Sequence, residues 1–299
     1  MEDNGLSWHV GDVRITTLIE RLSRFPCEPT NPLVPMATRD AMRRYAWLYP
    51  HFVTEDDLVV MPIQAFVIEA PAVTLIIDTC IGNDKPRVEL NGASLATGFL
   101  DDLNAAGFVR EAIDAVICTH LHFDHVGWNT MLQEGAWVPT FPNARYLFGR
   151  AEYEHWSLHG EAEAAKGHPM DHFADSIVPV VEAGLVDLVE MDQRISDEIR
   201  LVPTPGHTPG HVSVLIESQG KRAVVTGDMI HHPCQIAEPD WGVPFDSDQA
   251  AAARMRWTRL GEWAEGEVMV IGSHFAAPTA GWVRREGASF RFEISHSVE

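Results

Sequence analysis

Residues 117–127 read ICTHLHFDHVG and place three histidines and one aspartate within six positions. An apolar run comes directly before this cluster and is predicted to be a buried strand. His120 and His122 are two residues apart, so an extended turn lets both rings converge on one cation. Asp124 and His125 follow on a tightening chain and are predicted to face a second cation. A chance surface cluster would not follow a buried strand, so the segment predicts a metal site.

Three later segments repeat the pattern of an apolar strand that ends at a metal-type side chain. The string VPTPGHTPGH ends a strand in a rigid loop of prolines and glycines that projects His207. The string AVVTGD ends at Asp228, whose two carboxylate oxygens suit a bridge between two cations. The string VMVIGSH ends at His274. His211 opens the next strand and is expected to orient a ligand from behind the site rather than to bind metal.

Taken together, these motifs resemble the metallo-β-lactamase superfamily. Residues 120–125 match its His-x-His-x-Asp-His signature, and His207, Asp228 and His274 follow in the order of its later ligands. The likeness covers about residues 60–280. It implies an α/β fold of four layers, an αβ/βα sandwich in which two central sheets lie between outer helices and the metals sit at one sheet edge.

The resemblance also implies a role for each of these residues. The resemblance implies that His120, His122 and His207 bind one cation. It implies that Asp124, His125 and His274 bind a second cation and that Asp228 binds both. Asp78, in the string LIIDT, resembles the family's buried aspartate that braces the ligand loop. The implied cofactor is a pair of divalent transition-metal ions. Histidine and carboxylate ligands favour zinc, with manganese, cobalt and iron as alternatives.

Such a centre implies a hydrolase. Two cations about 3.5–4 Å apart lower the pKa of a bridging water and yield a hydroxide that attacks the substrate. Asp124 or Asp228 can then pass a proton to the leaving oxygen. The predicted reaction is opening of a lactone or cleavage of a carboxylic ester, on a small neutral or apolar substrate. An organophosphate triester hydrolase, a β-lactamase-like amidase and a non-catalytic metal-dependent binding protein are the alternatives.

Within the family, the sequence resembles the branch of acyl-homoserine lactonases and methyl-parathion-hydrolase-like enzymes. Small lactonases of that branch carry a tyrosine three residues after the bridging aspartate, and here His231 stands at that position. His231 and His232 point opposite ways in an extended segment, and His231 is the one expected to reach substrate. Five apolar residues near the ligands in sequence are expected to line the pocket, with core packing as the alternative for each: Phe123, Trp128, Met229, Trp241 and Phe275.

The charge of the chain limits its partners. Acidic residues outnumber basic ones by 43 to 22, which gives a formal net charge of −21. A surface this negative repels phosphate groups, so neither nucleic acid nor an anionic membrane is predicted as a partner. No apolar run approaches the roughly 18 to 20 residues of a membrane span, and the N-terminus does not resemble a secretory signal. We therefore expect a cytoplasmic protein whose cysteines are reduced.

Short β-rich runs alternate with a few helices, which is typical of a layered α/β domain. We predict one domain over residues 1–299. Residues 20–62 are rich in proline and in bulky aromatic residues, so we expect an ordered arm packed on the domain. A lid over the pocket and a homodimer contact are the alternatives for this arm. The predicted helices are 95–106, 150–158 and 248–264, and the predicted strands are 13–19, 63–69, 73–78, 115–118, 144–148, 199–202, 213–216, 223–226 and 268–271.

Overall fold

Two β-sheets face each other at the centre of the computed structural model, which describes residues 5–165 and 170–294. The larger sheet has the spatial order β1 (Ser7–Val10), β2 (Val13–Pro26), β3 (Leu58–Ala70), β4 (Val73–Ile77), β5 (Ala115–Cys118), β8 (Arg145–Gly149) and β9 (Val186–Val189). The smaller sheet follows chain order: β10 (Ile199–Pro203), β11 (Val212–Ser218), β12 (Lys221–Val225), β13 (Met269–Ile271), β14 (Ala280–Glu286) and β15 (Ser289–Ile294). A separate hairpin pairs β6 (Thr130–Gln133) with β7 (Ala136–Pro139).

Apolar side chains of both sheets fill the space between them. All four residues of β5 are buried, as expected for a central strand that pairs in parallel with β4 and β8 and is covered on both faces. Along β11 the side chains alternate between two environments. Val214 and Ile216 belong to the core between the sheets, whereas Leu215 packs in the apolar cluster on the other side of the smaller sheet.

Helices cover the outer face of each sheet. The α-helices are α1 (Arg39–Met42), α2 (Phe99–Ala105), α3 (Phe123–Val126), α4 (Arg150–Ala165), α5 (Val178–Glu182), α6 (Cys234–Ala237) and α7 (Gln249–Gly266). A π-helix spans Phe173–Ile177, and 3-10 turns span Ala46–Leu48, Val88–Leu90, Arg110–Ala112, Gly127–Asn129 and Gly227–Met229. Phe99 and Leu103 of α2 pack on the larger sheet, while Leu260 and Trp263 of α7 pack on the smaller one. This layer order confirms the predicted αβ/βα sandwich.

The metal-type side chains lie at one edge of the two sheets. His120 follows the end of β5. The strands β12 and β13 run in parallel, so Asp228 and His274 follow strand ends at the same edge. Both β10 and β12 are antiparallel to β11, so β10 and β12 run in the same direction. His207, which follows β10, therefore lies at the same edge. The fold therefore gathers residues that are up to 154 positions apart in the chain.

The proline-rich segment 20–62 is not one element. Its first residues continue β2 as far as Pro26, and β3 already begins at Leu58, so the arm comprises residues 27–57. Pro26 is the last residue of β2, a position at which the missing N–H is tolerated. Val34, Leu48 and other side chains of the arm are buried in the apolar cluster that also contains residues of α7.

Sequence patterns missed mainly the outer strands. Three of them, β1, β9 and β15, close the ends of the two sheets. β1 and β9 have four residues each, too few for alternation to stand out, whereas β15 (SFRFEI) does alternate and was overlooked. The predicted helix 95–106 begins only at Phe99, and the one predicted at 150–158 continues to Ala165. In the part of the chain that the structure describes, no helix is both long and apolar enough to cross a bilayer. The cysteines are buried and unpaired, as expected: Cys27, Cys80, Cys118 and Cys234.

Candidate metal centre

Three histidine nitrogens meet where β5 and β10 end. The Nδ1 atom of His122 lies 3.0 Å from Nε2 of His120 and 2.9 Å from Nε2 of His207. Two zinc ligands at about 2.0–2.1 Å from the metal in a tetrahedral arrangement are roughly 3.3 Å apart, so this spacing suits three ligands of one cation. We call His120, His122 and His207 the first ligand group.

The second ligand group consists of Asp124, His125 and His274. The Nε2 atom of His274 lies 3.3 Å from Nε2 of His125 and 3.7 Å from a carboxylate oxygen of Asp124. The other oxygen of Asp124 is 3.7 Å from Nε2 of His125. Both histidines are buried, whereas Asp124 remains partly accessible to solvent. A molecule that enters the site can therefore contact the carboxylate of Asp124.

Asp228 lies between the two ligand groups. Its Oδ1 atom is 3.2 Å from Nε2 of His125 and 3.0 Å from Nε2 of His274. Its Oδ2 atom is 3.5 Å from Nε2 of His207 and 3.8 Å from Nε2 of His120. Because each oxygen faces a different group, this carboxylate is placed to bridge two cations.

Hydrogen bonds hold the outer ring nitrogens of the buried histidines away from the site. The Nδ1 atoms of His120, His125, His207 and His274 lie 3.1, 2.9, 3.0 and 2.8 Å from oxygens of Thr119, Asp78, Asp246 and Pro62, respectively. A neutral imidazole that donates from Nδ1 presents the lone pair of Nε2, which is the atom a metal binds. The donor set therefore fits a pair of divalent cations of the kind that histidine and carboxylate ligands bind.

The two ligand groups differ in their electrostatics. In the first group, burial lowers the pKa of all three rings well below the ordinary value, which keeps them neutral. In the second group, burial acts in the same direction, but the carboxylates of Asp228 and Asp124 outweigh it and raise the pKa of His125 and His274. The second group thus lies in a strongly negative field that favours a cation.

Asp78 braces the ligand loop. Its Oδ1 atom accepts the backbone N–H of Thr119 at 2.8 Å. Its Oδ2 atom accepts the hydroxyl of Thr119 at 2.9 Å and lies 2.9 Å from Nδ1 of His125. One carboxylate therefore fixes both the chain entering the histidine cluster and the orientation of one ligand ring. The geometry fits the role that the resemblance implied.

His211 lies behind the site, as its place at the start of β11 predicts. Its Nε2 atom accepts the backbone N–H of Asp228 at 2.8 Å, and its Nδ1 atom is 2.8 Å from the hydroxyl of Thr204. Gly227 makes this contact accessible, since a Cβ there would lie 2.6 Å from Nε2 of His211, and its φ is 55°. His211 consequently orients the carboxylate between the two ligand groups rather than facing a cation.

Two buried carboxylates that support the ligands were not recognised from the sequence. Glu152 accepts the backbone N–H of Leu121 at 3.2 Å and that of Gly210 at 2.9 Å, so it ties together the loops that carry His120 and His207. Asp246 lies two residues before the predicted helix 248–264, and its Oδ1 atom lies 3.0 Å from Nδ1 of His207, so it orients that ring. Burial raises the pKa of both carboxyl groups. Neither has a local signal, because their partners are distant in sequence.

A cavity of about 500 Å³ opens onto both ligand groups. Its floor includes His122, Asp124, Asp228 and His274. Its walls come from several separate parts of the chain and are mostly apolar, with these residues among them: Arg21, Ser23 and Phe25 of β2; Pro32 and Leu33 of the arm; Met61 and Ile63 of β3; Val88, Glu89 and Leu90; and Phe123, His231 and Phe245.

Only one of the five residues predicted to line the pocket does so, namely Phe123. The other four lie in the apolar core instead: Trp128, Met229, Trp241 and Phe275. Met229 and Phe275 directly follow the proposed ligands Asp228 and His274, and their side chains point into the core. Trp128 and Trp241 lie further from a ligand along the chain and also pack in the core. The alternative of core packing therefore holds for these four.

The adjacent histidines after β12 point in different directions, as predicted. His231 lines the cavity, and its Nε2 atom lies 3.0 Å from Oδ2 of Asp228. His232 has its Nε2 atom 2.9 Å from the carbonyl oxygen of Phe52 in the arm. His231 therefore faces the cavity beside Asp228, whereas His232 anchors the arm to the core.

His172 is a neighbour of the ligand loop that the sequence does not indicate. With no strand to present them, His155, His159, His168 and His172 are predicted from the sequence to be surface or helix residues. His159 is exposed on α4, and His168 lies outside the described residues. His172 is instead buried, with its Nε2 atom 2.8 Å from the carbonyl oxygen of Leu121, and it lines the cavity.

The sequence profile of the metallo-beta-lactamase superfamily matches residues 58–259, and the chain belongs to this superfamily. An N-acyl homoserine lactonase of Bacillus sp is 27% identical over 182 residues, which cover 56% of this chain and 62% of that relative, less than two thirds of its length. The N-acyl homoserine lactonase AiiA of Bacillus thuringiensis subsp. kurstaki is 25% identical over 234 residues, covering 73% of this chain and 82% of AiiA.

Two solved structures share the fold over nearly the whole chain. The hydrolase AbOPH of the beta lactamase superfamily superposes with a TM-score of 0.80 at 23% identity, covering 99% of both chains. AidC, a dizinc quorum-quenching lactonase solved with the product N-hexnoyl-L-homoserine, superposes with a TM-score of 0.77 at 20% identity and the same coverage. At such identities the likeness defines the fold and leaves the substrate to be argued from this chain's own cavity.

Proposed function

We propose that this metallo-hydrolase holds two divalent cations, zinc by preference, and opens lactones or cleaves carboxylic esters. The observation that carries the proposal is Asp228, whose two oxygens face two separate groups of ligand atoms. The proposed ligands are His120, His122 and His207 for one cation, Asp124, His125 and His274 for the other, and Asp228 for both. The dizinc lactonase of the same fold supports both the number and the choice of cation.

The chain supplies the groups that handle protons and substrate. When bound, two cations lower the pKa of a shared water and polarise a carbonyl oxygen. Asp124 and Asp228 are the ligand carboxylates that line the cavity, so each can accept a proton and return it to the leaving oxygen. His231, beside Asp228 on the cavity wall, is placed to donate a hydrogen bond to the substrate. Asp78 and His211 keep these groups in position.

The cavity walls support an ester or lactone with an apolar portion. Phe25, Leu33, Met61 and Ile63 offer an apolar surface beside the ligand groups, which suits a hydrocarbon chain. The lactonases among the relatives support the same class of scissile bond. Cleavage of an amide requires stronger protonation of the leaving nitrogen than cleavage of an ester requires of the leaving oxygen. Besides the ligand carboxylates, His231 is a further donor placed beside them. We therefore place esters and lactones ahead of β-lactams.

Metal analysis combined with a substrate screen tests this function. Protein purified without chelator should contain about two transition-metal ions per chain. It should hydrolyse lactones and aryl esters faster than phosphotriesters and β-lactams, lose that activity after chelation and regain it with zinc. Full activity with one ion per chain would contradict the dinuclear centre. Faster turnover of phosphotriesters or β-lactams would replace the proposed function by one of the two alternatives.

A further inference from the structure

A single extra residue changes the direction in which side chains of β2 point. Ile19 pairs with Gln64, whereas Arg21 pairs with Ile63, so Glu20 forms a β-bulge between them. Since side chains alternate along a strand, this insertion moves Arg21 and every second residue after it to the face that carries Ile63. That face borders the cavity above the two ligand groups.

Hydrogen bonds to Glu20 hold the bulge in place. Its carboxylate accepts the backbone N–H of Ile81 at 2.8 Å and that of Gly82 at 3.2 Å. It also accepts the indole N–H of Trp128 at 2.6 Å. Because Glu20 is bonded on several sides, the direction of the Arg21 side chain is built into the fold.

Arg21 brings a positive charge to a mostly apolar wall. Its Nε atom donates to the hydroxyl of Ser23 at 3.3 Å, and among the described residues no carboxylate forms an ion pair with it. The arginines of the arm behave differently, since Arg39 and Arg43 both pair with Asp57. The chain has 43 acidic and 22 basic residues, yet this cavity arginine has no acidic partner among the described residues.

None of the carboxylates that line the cavity serves as an ion-pair partner of Arg21. These carboxylates are Glu89, Asp124 and Asp228. The latter two lie among the proposed metal ligands. Glu89 is an exposed residue of the Val88–Leu90 turn and forms no ion pair with Arg21 in the described part of the chain. The guanidinium is therefore available to a group that arrives with the substrate.

We propose that Arg21 determines specificity by binding a carboxylate of the substrate. The preferred substrates are then esters or lactones that carry an anionic group at the far end of a short apolar body. A guanidinium presents its donors in a planar fork that matches the two oxygens of a carboxylate. The scissile bond rests on the proposed function, whereas the binding of the anionic group rests on Arg21 and its surroundings alone.

Two esters of equal length test this specificity. 4-Nitrophenyl octanoate and mono-4-nitrophenyl suberate share a leaving group and differ only in a terminal methyl group against a carboxylate. Arg21→Met should lower kcat/KM for the suberate ester about 10-fold through KM and change the octanoate ester less than about twofold, because one charge-assisted interaction is lost. Arg21→Lys should retain part of the preference. Arg24→Met, on the opposite face of the same strand, should leave both esters unaffected.

Calorimetric binding of suberate and octanoate to the zinc-loaded protein separates this inference from the proposed function. Both ligands offer one carboxylate to the cations, so only the second carboxylate of suberate reports on Arg21. If the wild type hydrolyses neither ester but binds suberate more tightly in an Arg21-dependent way, the proposed function fails and the specificity inference stands. If Arg21→Met weakens both esters and both acids equally, or affects none of them, Arg21 does not select an anionic group.

Discussion

The floor and the walls of the cavity are built in different ways. On the floor, the ring nitrogen that faces away from the site is hydrogen-bonded in each buried ligand histidine, as in His207, whose Nδ1 atom contacts Asp246. The backbone N–H of Asp228 is hydrogen-bonded to His211. The walls consist mainly of apolar side chains such as Leu33 and Phe25, which are held by packing and carry no comparable network. The difference separates two tasks. The floor sets the chemistry, and the walls set which molecule reaches it.

Removing the shared carboxylate is expected to have the largest effect. Asp228→Ala should lose metal from both ligand groups and lower ester hydrolysis by more than about 100-fold. Loss of a residue that only supports a ligand typically costs about 10–100-fold in activity, and loss of a ligand itself should cost more. Elemental analysis and initial rates on the same preparation measure both. Asp240→Ala, a change at an exposed aspartate nearby, is the control and should change neither. A variant that keeps two metals and near-normal turnover would rule out the bridge.

The next effect distinguishes a ligand from its support within one loop. His207→Ala should remain inactive in excess zinc, because it removes a metal bond. His211→Ala should lose about 10–100-fold in activity or metal affinity and recover part of it as zinc is added, since the ligands themselves remain. A zinc titration followed by ester hydrolysis rates compares the two. An equal loss that zinc does not restore in either variant would contradict the assignment of His211.

The smallest expected effect concerns the walls. Leu33→Ala should raise KM for 4-nitrophenyl octanoate about fivefold and leave metal content and kcat near the wild-type values, because it removes apolar contact at a distance from the ligands. Met36→Ala, at an exposed position of the same arm, should change none of these quantities. If Leu33→Ala instead lost metal, floor and wall would not be independent.

The floor was predictable from the sequence, whereas the walls were not. Every proposed ligand after the first cluster follows an apolar strand at a short distance, so local patterns point to His207, Asp228 and His274. The walls combine segments that have no common signal, such as Phe25 in β2 and Val88 in a turn. Local reasoning about apolar neighbours of the ligands therefore selected core residues in four cases out of five.

The supporting residues show the same limit. Asp78 was found through the family resemblance of the string LIIDT. Glu152 and Asp246 bond to loops far away in the chain, and a carboxylate on a helix gives no local sign that it is buried. Likewise, the bulge at Glu20 depends on the register between β2 and β3, which neither strand encodes alone.

That bulge divides β2 into two segments that can change separately. Residues before Glu20 pack in the cores of the larger sheet, so substitutions there disturb folding. At positions 21, 23 and 25 the side chains face the cavity while the backbone stays paired with β3. A library randomised at these three positions would therefore vary the cavity wall and leave the proposed metal ligands unchanged. The second half of β2 is thus a natural starting point for directed evolution of the proposed activity.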